Sequence, residues 1–111
     1  MNKSEQRDLF PGALEMMVLR TLQRQPLHGY ALVQHIKRTS NDLLQIEEGS
    51  LYPALQRLLL NGWVKAEWGA SENNRRARYY TLTPSGRKQL ARERKEFERM
   101  IGAIQKVIEA I

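Results

Sequence analysis

The sequence predicts a mainly α-helical domain with one small β-hairpin and a long C-terminal helix, on three observations. Apolar residues recur at helical spacing through most of the first 60 residues. Between residues 64 and 82 the apolar period shortens to about two residues, as in strands. After Pro84, only Gly86 and Gly102 interrupt a helical pattern that continues to Ile111.

The composition favours a soluble protein with a polyanionic partner. The 111 residues fit one domain with a modest core. Eighteen basic against twelve acidic side chains give a net charge of +6, which favours nucleic acid or an anionic membrane as partner. No cysteine is present, so disulfides and thiolate metal sites are excluded. No stretch approaches the roughly 20 apolar residues of a membrane span, and residues 1–8 lack the apolar segment of a signal peptide. We therefore expect a cytoplasmic protein that does not enter a membrane.

The first helix is predicted from Pro11 to about Gln23, because proline suits the first helical position. Its buried face is expected to contain Leu14, Met17, Val18 and Leu22. Leu9 and Phe10 precede the helix and are apolar enough to be tucked against a partner helix.

A second, shorter helix is predicted from about Tyr30 to Arg38, after a break at residues 26–29. Its inward residues are expected to be Leu32, Val33 and Ile36. Leu44 and Ile46 then alternate with polar neighbours, which could be a very short strand.

A third helix follows, and it divides into an apolar and a polar face. Ser50 is predicted as its N-cap, Pro53 lies in the predicted first turn, and Asn61 with Gly62 ends it. The apolar face consists of Leu51, Leu55, Leu58 and Leu59. The opposite face consists of Ser50, Pro53, Gln56, Arg57 and Leu60, with Tyr52 at its margin. Two helices joined by a short connection, the second with a polar outer face, form a helix-turn-helix, whose second helix enters a groove of DNA. The alternative is an ordinary amphipathic surface helix.

Two strands around a polar loop are predicted next. Val64, Ala66 and Trp68 alternate with polar residues before a loop at residues 69–74. Arg78, Tyr80 and Leu82 alternate in the same way after it. A hairpin directly after a recognition helix is called a wing. Its tip carries Arg75, Arg76 and Arg78, which can neutralise DNA phosphates. The alternative is a solvated tip whose charges aid solubility.

The last helix is predicted to mediate dimerisation. Thr83 and Pro84 suit its N-cap and first position. Heptad-like spacing connects Leu90, Phe97, Ile101, Ile104, Ile108 and Ile111. A helix of about 27 residues would be about 40 Å long, more than a small domain covers, so we expect this apolar stripe to pack on a second copy. The alternative is packing on the first helix of the same chain. We expect residues 1–83 to bind DNA and residues 84–111 to form the dimerisation helix, within one compact unit.

Four segments resemble motifs of the PadR family of bacterial transcriptional regulators. They are His28-Gly29-Tyr30, the run Gly49-Ser-Leu-Tyr-Pro-Ala-Leu55, Gly62-Trp63-Val64, and the run Arg78-Tyr-Tyr-Thr-Leu-Thr83 with Gly86. The resemblance implies a winged helix-turn-helix, a dimer formed through the C-terminal helix, and repression at a roughly palindromic operator. The single terminal helix is similar to the short subfamily.

Carried over by position, the resemblance implies which residues meet DNA. At the recognition helix they are Ser50, Tyr52, Pro53, Gln56 and Arg57; in the wing they are Arg75 and Arg76. Tyr30 is expected near the DNA backbone or as a support for that helix. Glu47 and Glu48 depart from the pattern, in which smaller or uncharged residues are expected before the recognition helix. Carboxylates there suit the helix dipole but repel nearby phosphates; they could accept hydrogen bonds from cytosine amino groups or point away from the DNA.

The resemblance also implies a hydrophobic or phenolic small-molecule effector near the dimer interface. Phe97, Met100 and Ile101 are candidates for lining such a site, but a seam of this kind is more often plain dimer core.

Catalysis, a metal and a cofactor are not expected. The histidines are His28, expected to close a turn, and His35, expected at the surface; neither has a carboxylate cluster to complete a metal site. Neither a catalytic triad order nor a phosphate-binding glycine loop occurs. The alternative function is a winged helix for protein association without DNA. It predicts an apolar or acidic outer face on the third helix, where Leu60 is the one residue in its favour.

Overall fold

The computed structural model describes residues 12–111, which form four helices and three strands. Their order is α1 (Ala13–Leu22), β1 (Leu27–His28), α2 (Gly29–Thr39), α3 (Glu48–Leu60), β2 (Val64–Ala70), β3 (Arg76–Leu82) and α4 (Pro84–Glu109). The predicted fold class, mainly helical with a small antiparallel sheet and a long last helix, is confirmed. The predictions for Leu9, Phe10 and Pro11 lie outside the described residues.

The core lies where α1, α2 and α3 pack together and against the inner face of the sheet. Its buried residues, most of them predicted, are Val18, Leu19, Leu22, Leu32, Leu51, Leu55, Leu58, Val64, Tyr80, Leu82 and Leu90. Burying one leucine side chain fully contributes about 1.5–3 kcal/mol. The apolar period of each helix therefore fixes which side of it faces this core.

The sheet contains one strand more than the sequence predicted. β3 is central and pairs antiparallel with β2, from Val64 opposite Leu82 to Ala70 opposite Arg76. Its other edge pairs with β1, a strand too short for a readable period. The predicted strand at Leu44 and Ile46 was wrong: both residues are half-buried in an irregular connection.

The predicted start of α3 was also wrong. The helix begins at Glu48 with Glu47 as its N-cap, so Ser50 lies in the first turn rather than at the cap. Pro53 lies inside the helix, where its missing N–H leaves the Gly49 carbonyl without its usual donor. Gly49 is exposed, so water can satisfy that carbonyl. The proline is therefore tolerated one turn deeper than predicted.

A tight junction connects α3, β2 and α4. Gly62, at φ +73°, ends α3, and the Trp63 N–H donates to the Leu58 carbonyl as in a Schellman motif. Thr83 is the N-cap of α4, as predicted: its hydroxyl accepts from the Gly86 N–H at 3.0 Å and donates to the Gly62 carbonyl at 2.7 Å. A Cβ at position 86 would overlap the Trp63 carbonyl oxygen, so this close approach requires glycine.

The helix α4 is 26 residues long, about 39 Å at the usual helical rise. Its first turns belong to the core through Leu90, and further along it packs on α1. Beyond that contact its apolar residues are increasingly exposed. Among residues 12–111, no helix combines the length and apolarity needed to cross a membrane.

Candidate nucleic-acid interface

The outer face of α3 is polar and open to solvent. Its exposed residues are Ser50, Pro53, Gln56, Arg57 and Leu60. The opposite face holds Leu51, Ala54, Leu55 and Leu58 in the core, so the orientation of the helix is fixed. The outer face therefore presents hydroxyl, amide and guanidinium groups, which are groups that read base edges in the major groove.

Tyr52 lies at the edge of this face, against the start of α2. It is 47% exposed, and a Cβ at Gly29 would come within 2.8 Å of its hydroxyl oxygen. The absence of a side chain at position 29 therefore lets the ring approach α2. Burial, and then the nearby Glu48 carboxylate and Tyr80, raise the pKa of Tyr52. Its phenol is neutral at neutral pH and can donate a hydrogen bond to a phosphate or a base.

Arg57 has a partner that the sequence did not reveal. Its Nε donates to the Oε2 of Glu15, on α1, at 2.8 Å. The Glu15 side chain is 19% exposed and that of Arg57 is 55% exposed. The carboxylate offsets part of the Arg57 charge and fixes its direction, while this bond uses one of the five guanidinium donors. Arg57 is therefore suited to a directed contact more than to general attraction of phosphates.

The wing carries a concentrated positive charge at its tip. Arg75, Arg76 and Arg78 are all exposed, around a turn in which the Ser71 N–H donates to the Arg75 carbonyl at 2.8 Å. The Arg76 guanidinium lies 4.4 Å from the centre of the Trp68 ring, and that of Arg78 lies 6.0 Å from the Tyr80 ring. These are cation–π distances, so aromatic rings hold two of the three arginines.

A groove of about 630 Å³ lies between the start of α2 and the wing. Tyr52 is the residue of α3 that lines it, and the Glu72 carboxylate is also part of its wall. Its chemically important lining residues are His28, Tyr30, Tyr52, Trp68, Arg75, Arg76, Arg78 and Tyr80. The fold thus brings together the predicted residues of the wing with Tyr30 and Tyr52. The predicted residues Ser50, Pro53, Gln56 and Arg57 do not line this groove; they lie on the outer face of α3.

His28 does more than close a turn, which is the role that the sequence predicted for it. Its Nδ1 accepts the Ala31 N–H at 3.2 Å, which makes it the N-cap of α2, so the ring proton is on Nε2. Nε2 lies 3.1 Å from a carboxylate oxygen of Glu72, at the tip of the wing. A backbone hydrogen bond within Glu72 and then the bond from His28 lower the pKa of that carboxyl. His28 therefore connects the start of α2 to the wing loop, a contact between residues far apart in sequence.

The predicted dimer residues form a stripe that becomes more exposed toward the end of α4. Phe97 and Ile101 are half-buried, Ile104 is at the margin of exposure, and Ile108 is 75% exposed. The predicted continuation of the helix to Ile111 was wrong: α4 ends at Glu109 and Ala110 is extended, so Ile111 lies beyond the helical stripe and is fully exposed. Val107, which the heptad spacing did not include, is exposed beside them.

Two other grooves lie along α4. One, of about 470 Å³, is formed by α1, α2 and α4 and is lined by Met16, Met17, Ile36 and Phe97. The second contains Met100 and Ile104 together with Phe97. Ile101 lines neither groove. Within residues 12–111, no group of three or more metal-ligating side chains comes together.

Comparison with known proteins matches most of this chain to one family. The family described as "Transcriptional regulator PadR-like family" matches residues 18–92. A solved transcriptional regulator from Clostridium thermocellum is 30% identical with a TM-score of 0.82, covering 89% of this chain and 96% of that one. A PadR family transcriptional regulator from Eggerthella lenta is also 30% identical, with a TM-score of 0.78 and coverage of 91% and 86%. A curated transcriptional regulator of Mycobacterium tuberculosis is 29% identical over 94 residues, 85% of this chain and 84% of the relative.

Proposed function

Because the chain belongs to the PadR-like family of transcriptional regulators, we propose that it binds a specific double-stranded DNA sequence as a homodimer and represses transcription there. One observation carries this proposal: Tyr52 of α3 and the wing arginines line the same groove, beside the polar outer face of α3. A surface with base-reading groups on one side and free cations on the other matches the two kinds of contact that a regulator makes with DNA.

In the proposed complex, α3 lies in the major groove and the wing lies along the backbone. Gln56 and Arg57 face the bases from one turn into α3, and Ser50, Tyr52 and Pro53 contact DNA near its start. Arg75, Arg76 and Arg78 bind phosphates, which supplies affinity without sequence information. Tyr30 lies in the same groove as the wing arginines, so we assign it to the backbone side.

The carboxylates at the start of α3 fit this arrangement. Glu47 and Glu48 are exposed and lie at the helix N-terminus, where the helix dipole favours negative charge. Neither lines the groove beside the wing. The Glu48 carboxylate lies near Tyr52, so we propose that the start of α3 approaches base edges, where a carboxylate can accept from a cytosine amino group, and that the phosphates are bound by the wing.

Dimerisation would place two copies of α3 on one face of the duplex. The exposed end of α4, with Ile104, Val107 and Ile108, offers apolar area for a second copy, and Ile111 follows just beyond the helix. We propose that residues 84–111 form this interface with Phe97 and Ile101 at its half-buried end, and that residues 1–83 bind DNA. If a hydrophobic or phenolic effector binds, we propose the groove lined by Met16, Met17 and Phe97 as its site. The apolar stripe on α4 does not require an effector, because dimer packing explains it.

Fluorescence anisotropy across a salt series tests the proposed DNA binding. The probes are a mixed-sequence duplex and the promoter fragment of the protein's own gene. We expect tighter binding to the promoter fragment and a steep loss of affinity for both as salt rises. Absence of binding to either duplex at low salt would contradict the proposal and favour the protein-association function.

A further inference from the structure

Trp68 is an exposed aromatic residue on the first strand of the wing. It lies on the face of β2 that begins with the buried Val64, opposite Leu82 and Tyr80 of β3. That face leaves the core before it reaches Trp68, which is 60% exposed. Single exposed apolar side chains are common on protein surfaces, so the contacts of the indole, and not its exposure, indicate its role.

Two arginines of β3 are neighbours of the indole. Arg78 is directly opposite Trp68 in the strand register, and Arg76 is two residues away, on the diagonal. The Arg76 guanidinium nevertheless takes the ring face, 4.4 Å from its centre, whereas Arg78 lies over Tyr80. Diagonal pairs are within reach of aromatic and long side chains. Each arginine is thus assigned to its own ring.

Arg76 and Arg57 are held by different kinds of partner: Arg76 by the indole of Trp68 and Arg57 by the carboxylate of Glu15. Glu15 fixes Arg57 through a carboxylate, which offsets its positive charge. Trp68 is neutral, so it restricts the Arg76 side chain and leaves the whole charge for an anion. Arginine loses much rotamer freedom when it becomes ordered, so ordering it beforehand favours a phosphate contact.

We propose that Trp68 is a positioning residue for DNA binding: its ring holds the Arg76 guanidinium in the groove between the start of α2 and the wing, ready to bind a backbone phosphate. This inference rests on the proposed DNA-binding function and assigns to it a residue that makes no charged contact itself. The ring face is what matters, so an aliphatic side chain of similar bulk cannot replace it.

The test compares Trp68→Leu with Trp68→Phe, by anisotropy on the same promoter fragment over a salt series. We expect Trp68→Leu to weaken binding about two- to fivefold, the size of an exposed cation–π contact, and Trp68→Phe to retain most of the affinity. In Trp68→Leu the slope of log affinity against log salt stays unchanged, because the Arg76 charge remains. Arg76→Ala reduces that slope by about one phosphate contact.

A double-mutant cycle separates positioning from a structural effect. Trp68→Leu should have no further effect in an Arg76→Ala background and its full effect in an Arg78→Ala background, the matched control. Thermal unfolding of each variant verifies folding. Equal losses in Trp68→Leu and Trp68→Phe, no loss in Trp68→Leu, or an undiminished loss without Arg76 would overturn the inference and leave DNA binding intact. Failure of the wild-type protein to bind any duplex would overturn both.

Discussion

At the scale of single residues, the surface contains arginines of two kinds. Arg57 is paired with Glu15, whereas Arg75, Arg76 and Arg78 surround an exposed tip, two of them against aromatic rings. The ion pair with Glu15 orients the Arg57 guanidinium, whereas the arginines of the wing concentrate positive charge. We infer that sequence reading and backbone attraction are divided between α3 and the wing.

Replacing both Arg75 and Arg76 by Ala should weaken binding to the specific site and to unrelated DNA by similar factors. Two phosphate contacts are lost, so the salt slope should become shallower by about two. Arg57→Ala should reduce specific binding more than nonspecific binding, with little change in slope, because in the proposed complex Arg57 contacts bases and not phosphates. Anisotropy with both duplexes measures these quantities. The same loss on both duplexes for all the variants would contradict the division.

His28→Ala should lower the free energy of unfolding by about 0.5–2 kcal/mol, the usual value of a helix N-cap. The change removes the acceptor for the Ala31 N–H and also the bond to Glu72. Glu72→Ala is the matched control, because it removes the second bond and keeps the cap. Chemical denaturation measures both variants. An equal loss of stability in the two would show that the cap contributes little.

Tyr52 should make the stability of the fold depend on pH in the alkaline range. Its folded-state pKa is raised, first by burial, so the unfolded chain loses the phenolic proton before the folded chain does. Stability relative to Tyr52→Phe is therefore unaffected below the ordinary tyrosine pKa, near 10, and falls as the pH rises beyond it. Thermal unfolding of both proteins from pH 8 to 11 measures this difference. A constant difference across that range would contradict the assignment.

At the scale of elements, three of the four glycines in the motif segments have separate physical reasons, whereas Gly49 has open space around it. Gly29 leaves room for Tyr52, Gly62 adopts a positive φ, and Gly86 lets α4 approach Trp63. Gly102, in the same helix as Gly86, has open space around it. A Cβ is therefore forbidden at one position of α4 and tolerated at another.

Gly86→Ala should destabilise the protein strongly, because the new methyl group overlaps a backbone carbonyl that cannot move alone. Gly102→Ala should instead stabilise it by about 0.5–1 kcal/mol through helix propensity. Urea denaturation of the two variants beside the wild type gives the comparison. If Gly86→Ala were as stable as the wild type, the close junction of α3, β2 and α4 would be incorrect.

Long elements with a repeated or local signal were predicted from the sequence, and the shortest element was not. The period of α3, the hairpin alternation and the Thr83-Pro84 start of α4 are repeated or locally determined signals, and each led to the right element. β1 depends on an edge of β3 far along the chain, so no local pattern could indicate it. The start of α3 was misplaced because Ser50 suits an N-cap and Pro53 suits a first turn. In the structure the Leu51 N–H donates to the Glu47 carbonyl, so the helix begins about one turn earlier.

The candidate site was predictable by residue type and much less by arrangement. The polar side of α3 and the basic wing tip follow from sequence spacing, and their exposure agrees with it. The pairing of Arg57 with Glu15 and of His28 with Glu72 joins residues more than 40 positions apart, so only the fold reveals it. The sequence placed Trp68 in one alternating set with Val64 and Ala66, and the strand register agrees. Alternation does not show where along the strand the core ends, and Trp68 is 60% exposed.

At the scale of the whole molecule, α4 should determine the oligomeric state. Ile104→Glu places a charge in its exposed apolar stripe, and a buried unpaired charge disfavours association strongly. We expect light scattering to give the monomer mass for this variant and the dimer mass for the wild type. Gln105→Glu, on an exposed position of the same helix, is the control and should remain dimeric. An unchanged mass for Ile104→Glu would indicate another interface.

A dimer with two α3 helices should occupy two half-sites about one turn, or about 34 Å, apart. Chemical footprinting on the promoter fragment tests this most directly, with guanine N7 methylation for the major groove and hydroxyl-radical cleavage for the backbone. We expect two protected major-groove stretches centred about 10 base pairs apart on one face of the duplex, each with adjacent backbone protection from a wing. Binding that leaves every guanine N7 reactive, or that protects a single stretch, would contradict it.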